Sequence, residues 1–359
     1  MLLTRFRLGS RPRMLASLAA TLSVVTVAAC GNSSQPVKKL ASTPKPTPTA
    51  ATPTAATPAP PTPTPKPTIV AGATYTAPAI VQIENLNDAR PQSGLSSANV
   101  VYEASAEGGI SRFSAIYFSQ PQGQVGPVRS ARLISPVLVR QYGGTLIFSG
   151  SSGYVFGRML TWGTTRFEET SAGADMFRIN SRPAPHNLYT DGGRVEDLVK
   201  RSARPAVGYT LWNRATTAPG GTPVSGFTVP VSPSEQPSYG WDAGAGAWMR
   251  TEPDTGSFVD ANNGKPVAAP TVVVMQVPAH LNPDDIESGC CTQGWEYNLT
   301  GSGPAQVFTN GTGYDATWSA TESGGPPTFT LAGGAAAPVA PGLVWICVVP
   351  TGQAAATRH

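Results

Sequence analysis

Short β-branched and aromatic runs dominate the chain beyond residue 78. AIVQIEN (79–85), NVVYEAS (99–105), FSAIYFS (113–119) and TLIFSG (145–150) are apolar stretches bounded by Gly, Pro or Ser, a pattern that predicts strands. Between them the period changes. RLISPVLVRQY (132–142) carries Leu133, Ile134, Val137 and Leu138 at helical spacing, and RVEDLVKRSA (194–203) reads as a second helix. Beyond residue 208 the helical period is lost. GFTVPV (226–231), AWMRTE (247–252), PTVVVMQV (270–277), WEYNLTG (295–301), AQVFTN (305–310), ATWSAT (316–321) and LVWICVV (343–349) are strands separated by Gly, Asn, Asp and Pro turns. The expectation is an α+β (or α/β) N-terminal domain over 73–207 and a β-rich C-terminal domain over 208–352, with 353–359 as a tail. GSSGYVFG (150–157) reads as a turn, at best an anion nest, and GGAAAPVAPG (333–342) as a flexible insertion.

Before residue 73 the pattern is of another kind. Arg5, Arg7, Arg11 and Arg13 precede an apolar and small-residue run from Met14 to Val27, too short for a comfortable membrane span and placed as a signal peptide is. It ends in Val27-Ala28-Ala29-Cys30-Gly31, which resembles a bacterial lipobox, so residues 1–29 are expected to be a lipoprotein signal. Cys30 is then the lipidation site, carrying diacylglycerol and palmitate. The Pro, Thr and Ala run STPKPTPTAATPTAATPAPPTPTPKPT (42–68) within residues 30–72 has no large apolar side chain. Burial cannot offset the ordering entropy of such a segment, so a disordered, partly polyproline II tether is expected. At roughly 3 Å per residue it reaches on the order of 100 Å.

Removing these segments reverses the charge. The 359 residues carry a formal +4, but residues 1–72 hold eight basic residues and no acid, so residues 73–359 carry −4. The basic balance belongs to the signal and tether and gives no reason to expect a nucleic-acid partner. Cys290, Cys291 and Cys347 are disulfide candidates, Cys347 with one of the adjacent pair. No metal site is expected, because His280 is the only histidine near these cysteines and the spacing is wrong.

The chemistry-bearing residues concentrate in the N-terminal half. Arg90, Arg112, Arg129, Arg132, Arg140, Arg158, Arg166, Arg178 and Arg182 occur over a stretch without lysine, and the guanidinium fork suits carboxylates and phosphates. GPVRSARLI (126–134) would place Arg129 and Arg132 at a helix start, where cations are mildly unfavourable. If Ser130 caps that helix, its amides and the two arginines form an anion site. Arg–Glu pairs inside the domain, with Glu84, Glu103 and Glu107 as partners, would account for the arginines equally well; at the Ser130 site Glu103 or Glu107, or a ligand's anion, could supply the opposing charge. Arg90 and Arg112 are further ligand candidates. PAPHNLYT (183–190) adds His186 and Asn187, and His186 with Glu107 is the candidate catalytic pair. No G-x-S-x-G or S-x-x-K motif surrounds Ser111, Ser130, Ser151 or Ser152, and no P-loop, H-E-x-x-H or Rossmann glycine pattern is present, so no cofactor is expected.

ARPQSGLSSANVVYEASAEGGISRFSAIYFS (89–119), GPVRSAR (126–132) and SRPAPHNLYT (181–190) resemble the signature blocks of the YerB-like bacterial lipoproteins, a two-domain family of unknown function. GSGPAQVFTNGTGYDATW (301–318) and PGLVWICVVPTG (341–352) are similar to the blocks of its C-terminal domain. The cysteine pair, the alanine-rich stretch and Ile179-Asn180 depart from the pattern. The resemblance implies an envelope lipoprotein on the outer face of the cytoplasmic membrane, with no established reaction. The residues support three readings: a tethered module whose arginine-rich cleft binds an anionic wall component or an envelope protein; a wall-acting hydrolase or transferase using His186; and a structural partner in an envelope complex.

Overall fold

The structure is a computed structural model that describes residues 77–205, 207, 209, 211–286 and 292–359. Fifteen of its strands are β1 (Ala79–Glu84), β2 (Val100–Ser105), β3 (Ser111–Tyr117), β4 (Thr145–Phe148), β5 (Arg166–Glu168), β6 (Gly226–Thr228), β7 (Ser238–Asp242), β8 (Ala247–Glu252), β9 (Thr271–Val277), β10 (Ala279–Ile286), β11 (Gln293–Tyr297), β12 (Gly301–Thr309), β13 (Thr312–Ala320), β14 (Thr328–Leu331) and β15 (Val344–Pro350). Its helices of four or more residues are α1 (Ile134–Tyr142), α2 (Gly153–Thr161), α3 (Glu169–Ala172) and α4 (Gly192–Ser202).

One large sheet runs β14–β13–β12–β9–β15–β2–β3–β1–β4–β5. β15, near the C-terminus, lies parallel to both β2 and β9, with Val100 opposite Val344 and Thr271 opposite the same residue. The N-terminal and C-terminal halves therefore share this sheet. All residues of β1, β2, β3 and β15 are buried. Strands covered on both faces need nearly continuous apolar sequence, and AIV, VVY and VWICVV supply it.

Alternate side chains build two cores. Ile80, Val100, Tyr102, Ile116 and Ile346 pack under α1 and α2 through Leu138, Tyr142, Val155 and Met159. Val81, Val101, Phe113 and Trp345 face the other way, toward α4 and the sheet formed around β6, β7 and β8. There Phe227 stacks on Phe308 at 3.7 Å between ring centres and meets Trp248 edge-on at 5.0 Å.

Three local expectations are corrected. The first helix begins at Ile134, with Leu133 at its cap position and no side-chain cap. Ser130 therefore caps nothing, and Arg129 and Arg132 precede the first turn. Pro136 is accommodated because the missing amide falls among the helix's unsatisfied donors. GSSGYVFG is the entrance to α2, with Ser152 accepting a bond from the Val155 amide at 3.1 Å. GGAAAPVAPG packs on the sheet, since Ala337, Val339 and Ala340 are buried and Ala337 N–H donates to Phe329 at 2.8 Å. The β10–β11 hairpin pairs only within itself and was not foreseen, because AHLNPDDI is polar and contains a proline.

Candidate functional site

The extended segment 127–129 runs beside β1 beyond the end of β4. Glu84 N–H donates to Pro127 at 3.0 Å and Arg129 N–H to Gln82 at 2.9 Å. Just before it, Gly126 lets the chain pass close to Tyr189: its φ is 152°, and a Cβ there would lie 2.8 Å from that ring. The side chains then converge on Glu84, which is wholly buried. Arg129 Nε donates to its Oε1 at 2.8 Å, and His186 Nδ1 lies 2.9 Å from its Oε2. His186 Nε2 is 3.9 Å from the exposed carboxylate of Asp88. Glu84 was among the acids the sequence offered as arginine partners, and it pairs with Arg129; its bond to His186, 102 residues away, carried no local signal.

The other sequence candidates are distributed around this hub with partners of their own. Arg132 pairs with Glu107, so Glu107 meets a guanidinium and not His186. Arg112, opposite Glu84 across β1 and β3, donates to the Ser130 carbonyl at 2.8 Å. Asn187 is turned away, accepting from Arg178 at 2.8 Å and donating to the Ile179 carbonyl at 3.1 Å. Glu103 is held by an arginine of the C-terminal half. It forms a two-pronged pair with Arg250 of β8, one bond at 2.9 Å, and accepts from Ser111 at 2.8 Å and Trp345 Nε1 at 3.0 Å. Arg250 also binds Glu252, and its guanidinium carbon lies 4.9 Å from the Trp345 ring centre and 5.0 Å from that of Phe258. Arg90 reaches Glu235 at 2.8 Å, Glu252 at 3.7 Å and Asp254 at 2.9 Å. Burial, with Glu252 and Glu103 nearby, pushes the Glu235 carboxyl up to about 7 despite Arg90.

Arg129 and Arg132 each have a carboxylate partner inside the protein, Glu84 and Glu107, so of the opposing charges the sequence left open it is an internal acid that Arg132 meets. Cys347 is a buried free thiol, raised by burial and by the neighbouring Glu103 charge. Its expected partners Cys290 and Cys291 lie outside the described residues, as does Cys30. Among the described residues no cluster of His, Cys, Asp or Glu is arranged to hold a metal ion, and no hydroxyl or thiol is hydrogen-bonded to His186.

An open hollow exists elsewhere. A cleft of about 720 Å³ is walled by α1, α2 and the β10–β11 hairpin. Val137, Pro278 and Ala279 supply its accessible apolar lining, while Leu133, Tyr297 and Leu299 are buried. Two arginines flank Trp162, which follows α2: the Arg140 guanidinium carbon is 4.7 Å from the ring centre and that of Arg158 is 5.2 Å. Arg158 donates to Glu296 at 2.9 Å and to the Tyr154 hydroxyl at 3.2 Å. Burial works against the Arg158 charge, but these two bonds carry its pKa above the ordinary value. Burial likewise opposes the Glu296 charge, yet Arg158 and Asn282 hold that carboxyl below its usual range. Arg140 is paired with Glu322, and both are substantially exposed, at 39% and 62% of the side chain. Sequence reading counted both arginines but singled out neither. The available signal was the i, i+4 spacing of Arg158 and Trp162, one helical turn.

Residues 64–206 match the family described as Protein of unknown function (DUF3048) N-terminal domain, and residues 227–346 match its C-terminal domain. The chain belongs to this family. It is 28% identical over 293 residues to the "Putative lipoprotein YerB" of Bacillus subtilis (strain 168), covering 79% of this chain and 84% of that protein. The crystal structure of the YerB protein from Bacillus subtilis shares the fold. Its TM-score is 0.65 at 24% identity, over 80% of this chain and 94% of that one. No helix among the described residues is long and apolar enough to cross a membrane.

Proposed function

We propose that this protein is a lipid-anchored module of the bacterial cell envelope, tethered through Cys30 to the outer face of the cytoplasmic membrane, that binds an anionic ligand in the cleft beside Trp162. The name of the Bacillus subtilis relative and the lipobox-like Val27-Ala28-Ala29-Cys30 support the anchor. One observation carries the binding reading: Arg140 faces an open 720 Å³ cleft and its partner Glu322 is 62% exposed, while the partners of Arg129 and Arg132, Glu84 and Glu107, are 0% and 11% exposed. Binding by mobile search fits the tether, which raises the module's effective concentration near the membrane. The ligand classes are an acidic wall component or the carboxyl groups of another envelope protein.

Calorimetric titration of the purified protein with acidic wall fragments tests this. Heat of binding is expected in the wild type and in His186→Asn, and its loss in Thr300→Trp, a substitution at an exposed position lining the cleft. Binding that survives Thr300→Trp would remove the cleft from the account.

The Glu84–His186 bond supports a second reading. A buried carboxylate that orients an imidazole is the base-and-orienter half of an acid/base site. Turnover of a wall substrate that His186→Asn abolishes and Thr300→Trp leaves intact would favour it over the binding module.

A further inference from the structure

The cleft's charges do not hold one another equally. Arg158 and Glu296 are only 21% and 25% exposed. Tyr154 and Asn282 hydrogen-bond the two from either side, so this pair is part of the wall. Arg140 lies in the last turn of α1, and its partner Glu322 lies just beyond the end of β13. Exposed pairs of this kind are weakly held because water and salt compete for both charges. Arg140 is thus a cation already positioned over Trp162 whose present counter-ion is easily replaced.

The lining also constrains what replaces it. Two guanidiniums are set against two carboxylates, Glu296 and Glu322, with the exposed His280 beside Glu296, over an apolar base that includes Val137, Pro278 and Ala279. A polyphosphate would bring a run of negative charge against both carboxylates and would gain nothing from the base. A short peptide with one free carboxylate and apolar side chains meets a single fork-shaped cation and buries its apolar part.

Resting on the reading of this cleft as the ligand site, we infer that Glu322 is an internal counter-ion for Arg140, displaced on binding by the carboxylate of a peptide-like ligand. Glu322 thereby sets both affinity and selectivity: it competes with the incoming carboxylate and repels ligands of higher negative charge.

Calorimetry on the full chain provides the test, with N-acetyl-leucyl-alanine, its C-terminal amide and short poly(glycerol phosphate) as probes. The free acid is expected to bind and the amide to bind more weakly. Glu322→Gln is expected to tighten the acid by up to about fivefold, the worth of an exposed ion pair. Arg140→Gln is expected to bring acid and amide to the same affinity. Acid binding that is unchanged or weaker in Glu322→Gln, or an amide that matches the acid in the wild type, overturns the inference. Tighter binding of poly(glycerol phosphate) than of the acid overturns the peptide class. No heat with the acid even in Glu322→Gln overturns it as well, and leaves the cleft reading to the wall-fragment titration. The two failures separate in Thr300→Trp: acid binding that persists there defeats the cleft reading itself. Loss there without any response to Glu322→Gln defeats only the role of Glu322.

Discussion

Two groups of arginines in this fold behave in opposite ways. Around the ends of β1 and β2, Arg129, Arg90 and Arg250 are locked to Glu84, Glu235 and Glu103, whose own side chains are at most 7% exposed. On the far side of α1, Arg140 and Arg158 line an open cleft and pair with carboxylates that water can reach. Arginine density alone therefore does not locate a binding surface. A buried carboxylate fixes a guanidinium in place, because removing either partner strands the other's charge. A solvated carboxylate leaves the guanidinium available to a ligand.

Breaking the locked group should have the largest effect. Glu103→Ala leaves Arg250 with Glu252 alone in its box of aromatic rings, and a loss of about 3–5 kcal/mol is expected in urea unfolding. Glu103→Ala with Arg250→Met should not recover that loss, since it also takes the guanidinium from the buried Glu252 carboxylate.

Next comes the dependence on pH. The Glu235 carboxyl rises from 4.5 to about 7 on folding. Its contribution is fully present below the unfolded value and declines as pH rises toward 7, because the unfolded chain ionises first. Glu235→Gln should flatten the stability curve between those values by up to about 3 kcal/mol relative to wild type. A pair of curves that stay parallel would count against this.

His186→Ala removes a hydrogen bond to the buried Glu84 carboxylate, which Arg129 continues to hold. Thermal unfolding should show about 1.5–3 kcal/mol of destabilisation. In the open group, Arg140→Ala should change stability by at most about 1 kcal/mol. That contrast sharpens the comparison: the arginine most dispensable for folding is the one proposed to matter for binding.

The strands were legible where burial on two faces demanded unbroken apolar sequence, as in AIVQIE, TVVVMQV and VWICVVP. α4 was legible from its period, and Asp191 accepting from the Arg194 amide at 3.1 Å explains where it starts. The position of β15 beside β2 was not legible, since it depends on a pairing between residues more than 240 apart. The same distance problem hid the site. Glu103 finds Arg250 147 residues away, and Arg140 finds Glu322 182 residues away. Local reading could therefore suggest partners only among nearby acids, which is how Glu107 came to be linked with His186. The GPVRSAR block was correctly seen as dense in cations. Its helix start was misplaced because Pro136 and the apolar run left the first turn ambiguous by two residues.

The sharpest test of the contrast between locked and open arginines is a side-chain NMR titration of the protein with acidic wall fragments, following the Trp162 indole N–H and the His186 ring together. The account predicts that the Trp162 signal moves in proportion to bound ligand while the His186 signals stay in place. Movement of His186 with an unmoved Trp162 would contradict it and return the ligand to the cluster around Glu84.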